Sequence, residues 1–381
     1  MEKIREYLSI KKGEMLHLLE RLVNIDSGSY CKEGIDSCGQ ILAEELRALG
    51  FKVEVIREKD SGNHVWAERS GKGGRRLFLS GHLDTLRPYG TVARFPFHAD
   101  GNFAYGPGVG DMKGGLVQLI YSLKALQDLG RETPQISVFL TGDEELGSVK
   151  GRPYIEKESR RSNWALIMES SVAPEIIVVR RWGVGAFYLV IHGKAAHVLD
   201  QNMAGVNACS ELALKILTLE NLSDIHEGVK VSVNLVHGGT SRQVTASEAR
   251  ADIDVRVRDA INMEKIEEKV RKIAETSILQ GVRIELKGGL TRPPMEPNQN
   301  TEIFFNLAKE VGYEIGMNLN TGMKAGGSDG CFTSALGVAT LDGMGPLCYD
   351  LCSETERIEL NDLISKGLLT AGIIQRLAKE A

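Results

Sequence analysis

The chain has 381 residues, 42% apolar and 25% charged, with a formal net charge of -5. That length exceeds what a single core comfortably fills and makes room for two domains. The mild acidity speaks against a nucleic-acid-binding protein, which usually carries a basic patch, and no apolar run reaches the roughly 18 residues of a membrane helix.

The start, Met1 to Gly13, reads as a charged amphipathic helix, because it lacks the continuous apolar stretch of a signal peptide. Leu77-Phe78-Leu79-Ser80 is a short strand that runs into Gly81-His82. Gly114 to Leu129 places Leu116, Leu119, Ile120, Leu123 and Leu126 at helical spacing. Ile136 to Leu140 is a second strand, ending in Thr141-Gly142-Asp143, and Trp164 to Met168 a third, ending in Glu169. Strand, polar cluster, helix is the signature of an α/β layered fold, in which ligands bind beyond the carboxyl ends of the strands.

The pattern changes after about residue 180. Gly185–His192, Val229–Val236, Ala249–Arg258 and Val282–Leu286 read as strands, with helices over Val206–Leu219 and near 262–279. This predicts a compact α+β insert with an antiparallel sheet, closed by Gly288-Gly289 and Pro293-Pro294. The expected organisation is a catalytic domain over 1–180 and 291–381, interrupted by an inserted domain over 181–290. Six irregularly spaced cysteines, at 31, 38, 209, 331, 348 and 352, read as reduced thiols of a cytoplasmic protein.

Polar clusters sit at the expected strand ends. His82 and Asp84 are two apart, so both can face one side, and a carboxylate that accepts a ring N–H fixes the tautomer of a ligating histidine. Asp111 lies between Gly110 and Gly114-Gly115. Alone it reads better as a helix cap. Glu144 and Glu145 are adjacent carboxylates, a costly pair unless a cation or a shared proton relieves it. Such a pair can supply one metal ligand and one general base. Each cluster alone also fits a solvated turn. Together they assemble histidine and carboxylates, ligand types for Zn²⁺. A dinucleotide site is a poor alternative, since Gly106-Pro107-Gly108-Val109-Gly110 misses the G-x-G-x-x-G spacing and contains a proline. No G-x-S-x-G nucleophile elbow occurs.

The succession G-H-x-D-T (Gly81–Thr85), G-x-x-D-M-K-G-G (Gly108–Gly115) and D-E-E (Asp143–Glu145) resembles the aminoacylase and glutamate carboxypeptidase family of dizinc hydrolases. Acetylornithine deacetylase and succinyl-diaminopimelate desuccinylase are among its members. The resemblance spans nearly the whole chain. It implies an α/β, three-layer zinc-peptidase-like catalytic domain with an inserted α+β dimerisation (lid) domain. It also implies a homodimer holding two divalent ions, zinc or alternatively cobalt or manganese.

By the same resemblance Asp111 bridges the ions, His82 and Glu169 complete one site, and Glu145 serves the other. Glu144 is the general base and Asp84 orients His82. His197 stabilises the tetrahedral intermediate in the partner's site, and Arg256 holds the substrate carboxylate. Gly326 and Gly327 belong to a substrate loop, and Gln243 stands where the family has an asparagine. The implied substrate is a peptide or N-acyl amino acid, cleaved at an amide bond beside a free carboxylate. One departure matters most: the family's C-terminal metal-ligating histidine is absent, and Cys352, or alternatively Asp350, takes its place. A metal-deficient binding protein of the same fold is the alternative this departure leaves open.

Overall fold

The computed structural model describes residues 1–199 and 205–380. The chain divides into two compact units. The first comprises Met1–Arg180, Glu296–Lys324 and Ser328–Ala381, and the second Arg181–Met295 with Ala325–Gly327.

A six-stranded sheet centres the first unit, in the order Lys52–Ile56, His64–Arg69, Gln135–Thr141, Arg76–His82, Trp164–Ile167, Ala339–Leu341. The last four strands run parallel. Strand periodicity decides how this sheet is covered. Leu77, Leu79, Ile136, Val138, Leu140 and Leu166 turn to one face, into a core shared with the buried sides of the helices Lys12–Val23, Lys32–Ala48, Gly114–Asp128 and Leu360–Glu380. Phe78, Phe139, Ala165 and Ile167 turn to the other, onto Ile155 of the helix Arg152–Ser159 and Phe332 of the helix Gly330–Ala335. Both faces are buried, so these strands read as near-continuous apolar runs, the mark of a parallel sheet sandwiched by helices. Gly115 lets the helix Gly114–Asp128 start against the neighbouring strand end: a Cβ there would lie 2.0 Å from the Met168 carbonyl oxygen.

The second unit is an antiparallel sheet in the order Val229–Gly238, Glu248–Val257, Gly183–His192, Arg283–Arg292. Phe187, Leu189, Ile191, Ala251, Ile253 and Val255 alternate onto one face. There they meet Leu212 of the helix Ala208–Glu220 and Ile266 and Val270 of the helix Ala260–Glu275. Asn207 and Asp259 cap these helices through their side-chain oxygens.

The second unit closes five residues later than the boundary expected at 290. Gly288-Gly289 does not end the last strand. Pairing continues to Arg292 through a register shift after Leu290, and Arg181 and Met295 then exchange backbone hydrogen bonds. The two glycines are paired in regular register inside the strand, and the bulge falls after them, between Leu290 and Arg292. The sequence reading also had no signal for the helix Lys32–Ala48 or the two antiparallel strands Lys52–Ile56 and His64–Arg69. Among the described residues no helix is long and apolar enough to cross a membrane.

Candidate metal centre

Four polar clusters meet at the carboxyl ends of the parallel strands. His82 is the last residue of Arg76–His82. Glu144 opens a short 3-10 turn three residues beyond Gln135–Thr141, and Glu169 lies two residues beyond Trp164–Ile167. Asp111 sits just before the helix Gly114–Asp128. It does not cap that helix: the N-terminus has no side-chain cap. Its two carboxylate oxygens point to opposite partners instead. Oδ1 is 3.1 Å from His82 Nε2, and Oδ2 accepts from Cys352 Sγ at 3.7 Å. The Asp111–Met112 peptide bond is cis.

His82 Nε2 also faces Glu169 Oε1 at 3.4 Å. Its Nδ1 lies 2.9 Å from the main-chain carbonyl oxygen of Asp84 and 3.6 Å from the nearer Asp84 carboxylate oxygen. The Asp84 carbonyl therefore takes the position expected of the carboxylate. The carboxylate builds the neighbouring turn: Oδ1 accepts the Glu144 N–H at 3.0 Å, and Oδ2 accepts the Glu145 N–H at 3.1 Å and the Ser29 hydroxyl at 3.0 Å. Two residues behind the site carried little or no warning of these roles. Ser29 is 55 positions from Asp84 and belongs to no motif. Glu356 accepts the N–H groups of Gly110 at 2.9 Å and Asp111 at 3.2 Å and so holds the Asp111 loop.

The electrostatics of the cluster call for cations. Burial, then Asp111, pushes Glu145 up to about 10. Burial, then Asp111 and Glu145, pushes the Cys352 thiol up to about 12. For His82 burial works against the charged ring, but Asp111, Asp84 and Glu169 outweigh it and hold the imidazole well above its ordinary range. Carboxylates this crowded shed protons when a divalent ion lies among them. Two overlapping ligand sets have donor atoms within 4.8 Å of one another, His82 with Asp111 and Glu145, and His82 with Glu144 and Glu169. Glu145 Oε1 is buried without a hydrogen-bond partner. A buried carboxylate oxygen left without a donor in a set of imidazole and carboxylates fits a metal ligand.

Cys352 faces Asp111, whereas Asp350 is exposed and occupied by Arg357 and the Thr355 hydroxyl.

The other expected site residues belong to the second unit. His197 and Gln243 are exposed and lie close together, since His197 forms a β-bridge with Val244. Arg256 makes a two-pronged pair with Asp254, at 2.8 and 2.9 Å. The carbonyl oxygens of Gly326 and Gly327 accept from the buried Arg181 guanidinium at 3.1 and 3.3 Å.

The family model described as peptidase family M20/M25/M40 matches residues 78–376. The chain belongs to this family. Carboxypeptidase G2 of Pseudomonas sp. (strain RS-16) is 28% identical over 374 residues, covering 95% of this chain and 89% of that one. A tripeptidase from Staphylococcus aureus superposes with a TM-score of 0.81 at 22% identity, covering 97% of this chain and 99% of that chain. The YXEP protein of Bacillus subtilis, described as a dinuclear metal binding peptidase of the M20 family, superposes with a TM-score of 0.75 at 16% identity, covering 98% and 100%. As an M20 peptidase the chain is a metal-dependent hydrolase of amide bonds, in a family of dinuclear metal-binding peptidases.

Proposed function

We propose that this M20 peptidase is a dizinc enzyme that cleaves an amide or peptide bond beside a free carboxylate, in a peptide or an N-acyl amino acid. The observation that carries the reading is Asp111, with one oxygen toward His82 and the other toward Cys352. One ion would be held by Asp111, His82 and Glu169, and the other by Asp111, Glu145 and Cys352. When bound, the two ions supply Lewis acidity to the scissile carbonyl and to the attacking water.

The chain's own residues do the rest. Glu144 takes the proton of water and returns it to the leaving amine. Asp84, by binding the Glu144 and Glu145 N–H groups, fixes base and ligand together on one turn. His197 stabilises the oxyanion in the partner's site of a homodimer. Arg256 binds the substrate carboxylate, with Gln243 and the Gly326-Gly327 loop as further contacts. A carboxylate arriving at Arg256 must displace Asp254. That pair is more than a third exposed on both sides, so its rupture costs no more than about 1 kcal/mol. The edge strand Val229–Gly238, with Leu235 and Val236 exposed, supports dimerisation through the second unit. The six free cysteines support a reducing compartment, the cytoplasm.

The test is a panel of dipeptides and N-acyl amino acids, offered to protein reconstituted with Zn²⁺, Co²⁺ or Mn²⁺, together with metal analysis. Close to two ions per chain and hydrolysis confined to substrates with a free carboxylate are expected. Protein that binds no metal, or that cleaves esterified and free-carboxylate substrates equally, would refute the reading.

The cysteine ligand makes a separate prediction. Cobalt-loaded protein is expected to show a thiolate-to-metal charge-transfer band in the near ultraviolet. Cys352→Ala should abolish it, and Cys352→His should remove the band while keeping the metal. A spectrum unaffected by Cys352→Ala would mean that the sulfur is not bound.

A further inference from the structure

A pocket of about 370 Å³ opens in the first unit, between the strand Ile176–Arg181 and the helix Gln299–Ile315. None of its lining residues belongs to the metal centre. Helical spacing explains one wall: Glu302, Phe305 and Asn306 stand at i, i+3 and i+4 and so share a face. The strand supplies Val179 and Arg180, and Pro297, next to the helix N-cap Asn298, completes the lining.

The walls are held from behind. Val179 is buried, and Phe305 packs against the main core. A capping box fixes the helix start: Thr301 N–H donates to Asn298 Oδ1 at 2.9 Å, and Asn298 N–H donates to Thr301 Oγ1 at 3.3 Å. The polar side chains, by contrast, are unspent. Arg180, Glu302 and Asn306 are exposed, and among the described residues none of these three side chains makes a hydrogen bond or an ion pair. Further along the same helix Glu310 and Glu314 are both paired, with Arg376. The pocket therefore offers a guanidinium and a carboxylate that pair neither with each other nor with a neighbour, beside an apolar surface.

We infer that this pocket binds a free α-amino acid with an apolar side chain: its carboxylate on Arg180, its ammonium on Glu302, and its side chain on Val179, Pro297 and Phe305. Charge decides the class. A simple anion would meet the Glu302 carboxylate, and a simple cation the Arg180 guanidinium. A neutral apolar compound would strip water from both charges and replace it with nothing. A zwitterion satisfies both at once, with the guanidinium taking its carboxylate through two parallel bonds. The Asn306 amide can donate and accept and so serves either end. The volume suits a small organic molecule, lying near the lower end of the roughly 300–1,000 Å³ of such pockets. An N-acyl amino acid lacks the ammonium and is refused. The inference goes beyond the proposed reaction and needs no metal, although hydrolysis of an N-acyl amino acid would release a molecule of this class.

The experiment is calorimetric titration of zinc-loaded protein with three compounds that cannot be hydrolysed: L-leucine, 4-methylpentanoate, which is leucine without its ammonium, and 3-methylbutylamine, which is leucine without its carboxylate. L-leucine is expected to bind at one site per chain with a Kd of about 1 mM or tighter, and each truncated compound about 10-fold or more weaker. Arg180→Gln and Glu302→Gln should each weaken L-leucine by about 10-fold or more. Both side chains are exposed, so the thermal midpoint should not move, and hydrolysis of the best panel substrate should stay within about twofold of the parent. Absence of saturable L-leucine binding overturns the inference, as does a truncated compound that binds as tightly as L-leucine. Binding that survives both substitutions and disappears on chelation would place the amino acid on the metal and also overturn it. Because the readout is binding, a panel that is not hydrolysed in any metal form refutes the dizinc reading and leaves this test intact.

Discussion

Replacing Glu144 by glutamine is expected to lower kcat by about 10²–10⁴-fold, the range for loss of a general base, while metal content and thermal stability stay near those of the parent. The turn is held through main-chain groups, Glu144 N–H on Asp84 Oδ1 and Gly147 N–H on the Glu144 carbonyl, and an isosteric side chain leaves both intact. The measurement must include metal analysis, because Glu144 also lies within ligand distance of His82 and Glu169. Loss of an ion with the substitution would make Glu144 a ligand and send the search for a base elsewhere. Activity within about threefold of the parent would exclude it from both roles.

Asp84→Ala is expected to be the most damaging single change to stability around the site. The carboxylate is fully buried and accepts three donors, the Glu144 and Glu145 N–H groups and the Ser29 hydroxyl. Each buried donor left without an acceptor costs about 1–3 kcal/mol, so roughly 3 kcal/mol or more should disappear from the unfolding free energy. The turn that carries Glu144 and Glu145 would loosen with it. Denaturant unfolding of metal-free protein isolates the structural part, and Ser29→Ala is the control: it removes one of the three bonds and should cost about 1 kcal/mol. An Asp84→Ala protein within about 1 kcal/mol of the parent, with normal metal content, would show that the carboxylate does not hold the turn.

The strands that bear the site were legible because a sheet covered on both faces writes itself as short apolar runs, and the polar residues that end them stand out by contrast. That contrast drew attention to His82, Glu144, Glu145 and Glu169, which the fold brings together. Asp111 was legible through its glycines. What stayed hidden depends on long-range pairing. Asp84 was expected to orient His82 through its carboxylate, but that carboxylate binds main-chain N–H groups, whereas Asp111 faces side chains. Ser29 had no local signal at all. Spacing favoured Cys352 over Asp350, but both have positive φ in an irregular loop, and only the folded chain shows that Cys352 faces Asp111. The Gly288-Gly289 pair misled for the same reason: a strand interior that pairs through glycine reads locally like a strand end.

The short segment Ala325–Gly327 limits what protein engineering can do with this chain. It belongs to the second unit although both its flanks belong to the first, and it is joined there by Arg181. The polypeptide passes between units at 180–181 and 295–296, and again at 324–325 and 327–328. Residues 181–295 are therefore not a cassette. Excising them, or exchanging them for the equivalent stretch of a relative, would strip Gly326 and Gly327 of the guanidinium their carbonyls share. A graft that carries its own residue at 181 compatible with the resident glycine loop is the smallest transplantable unit, and a chimera that ignores this pairing should fail at the loop before it fails at the sheet.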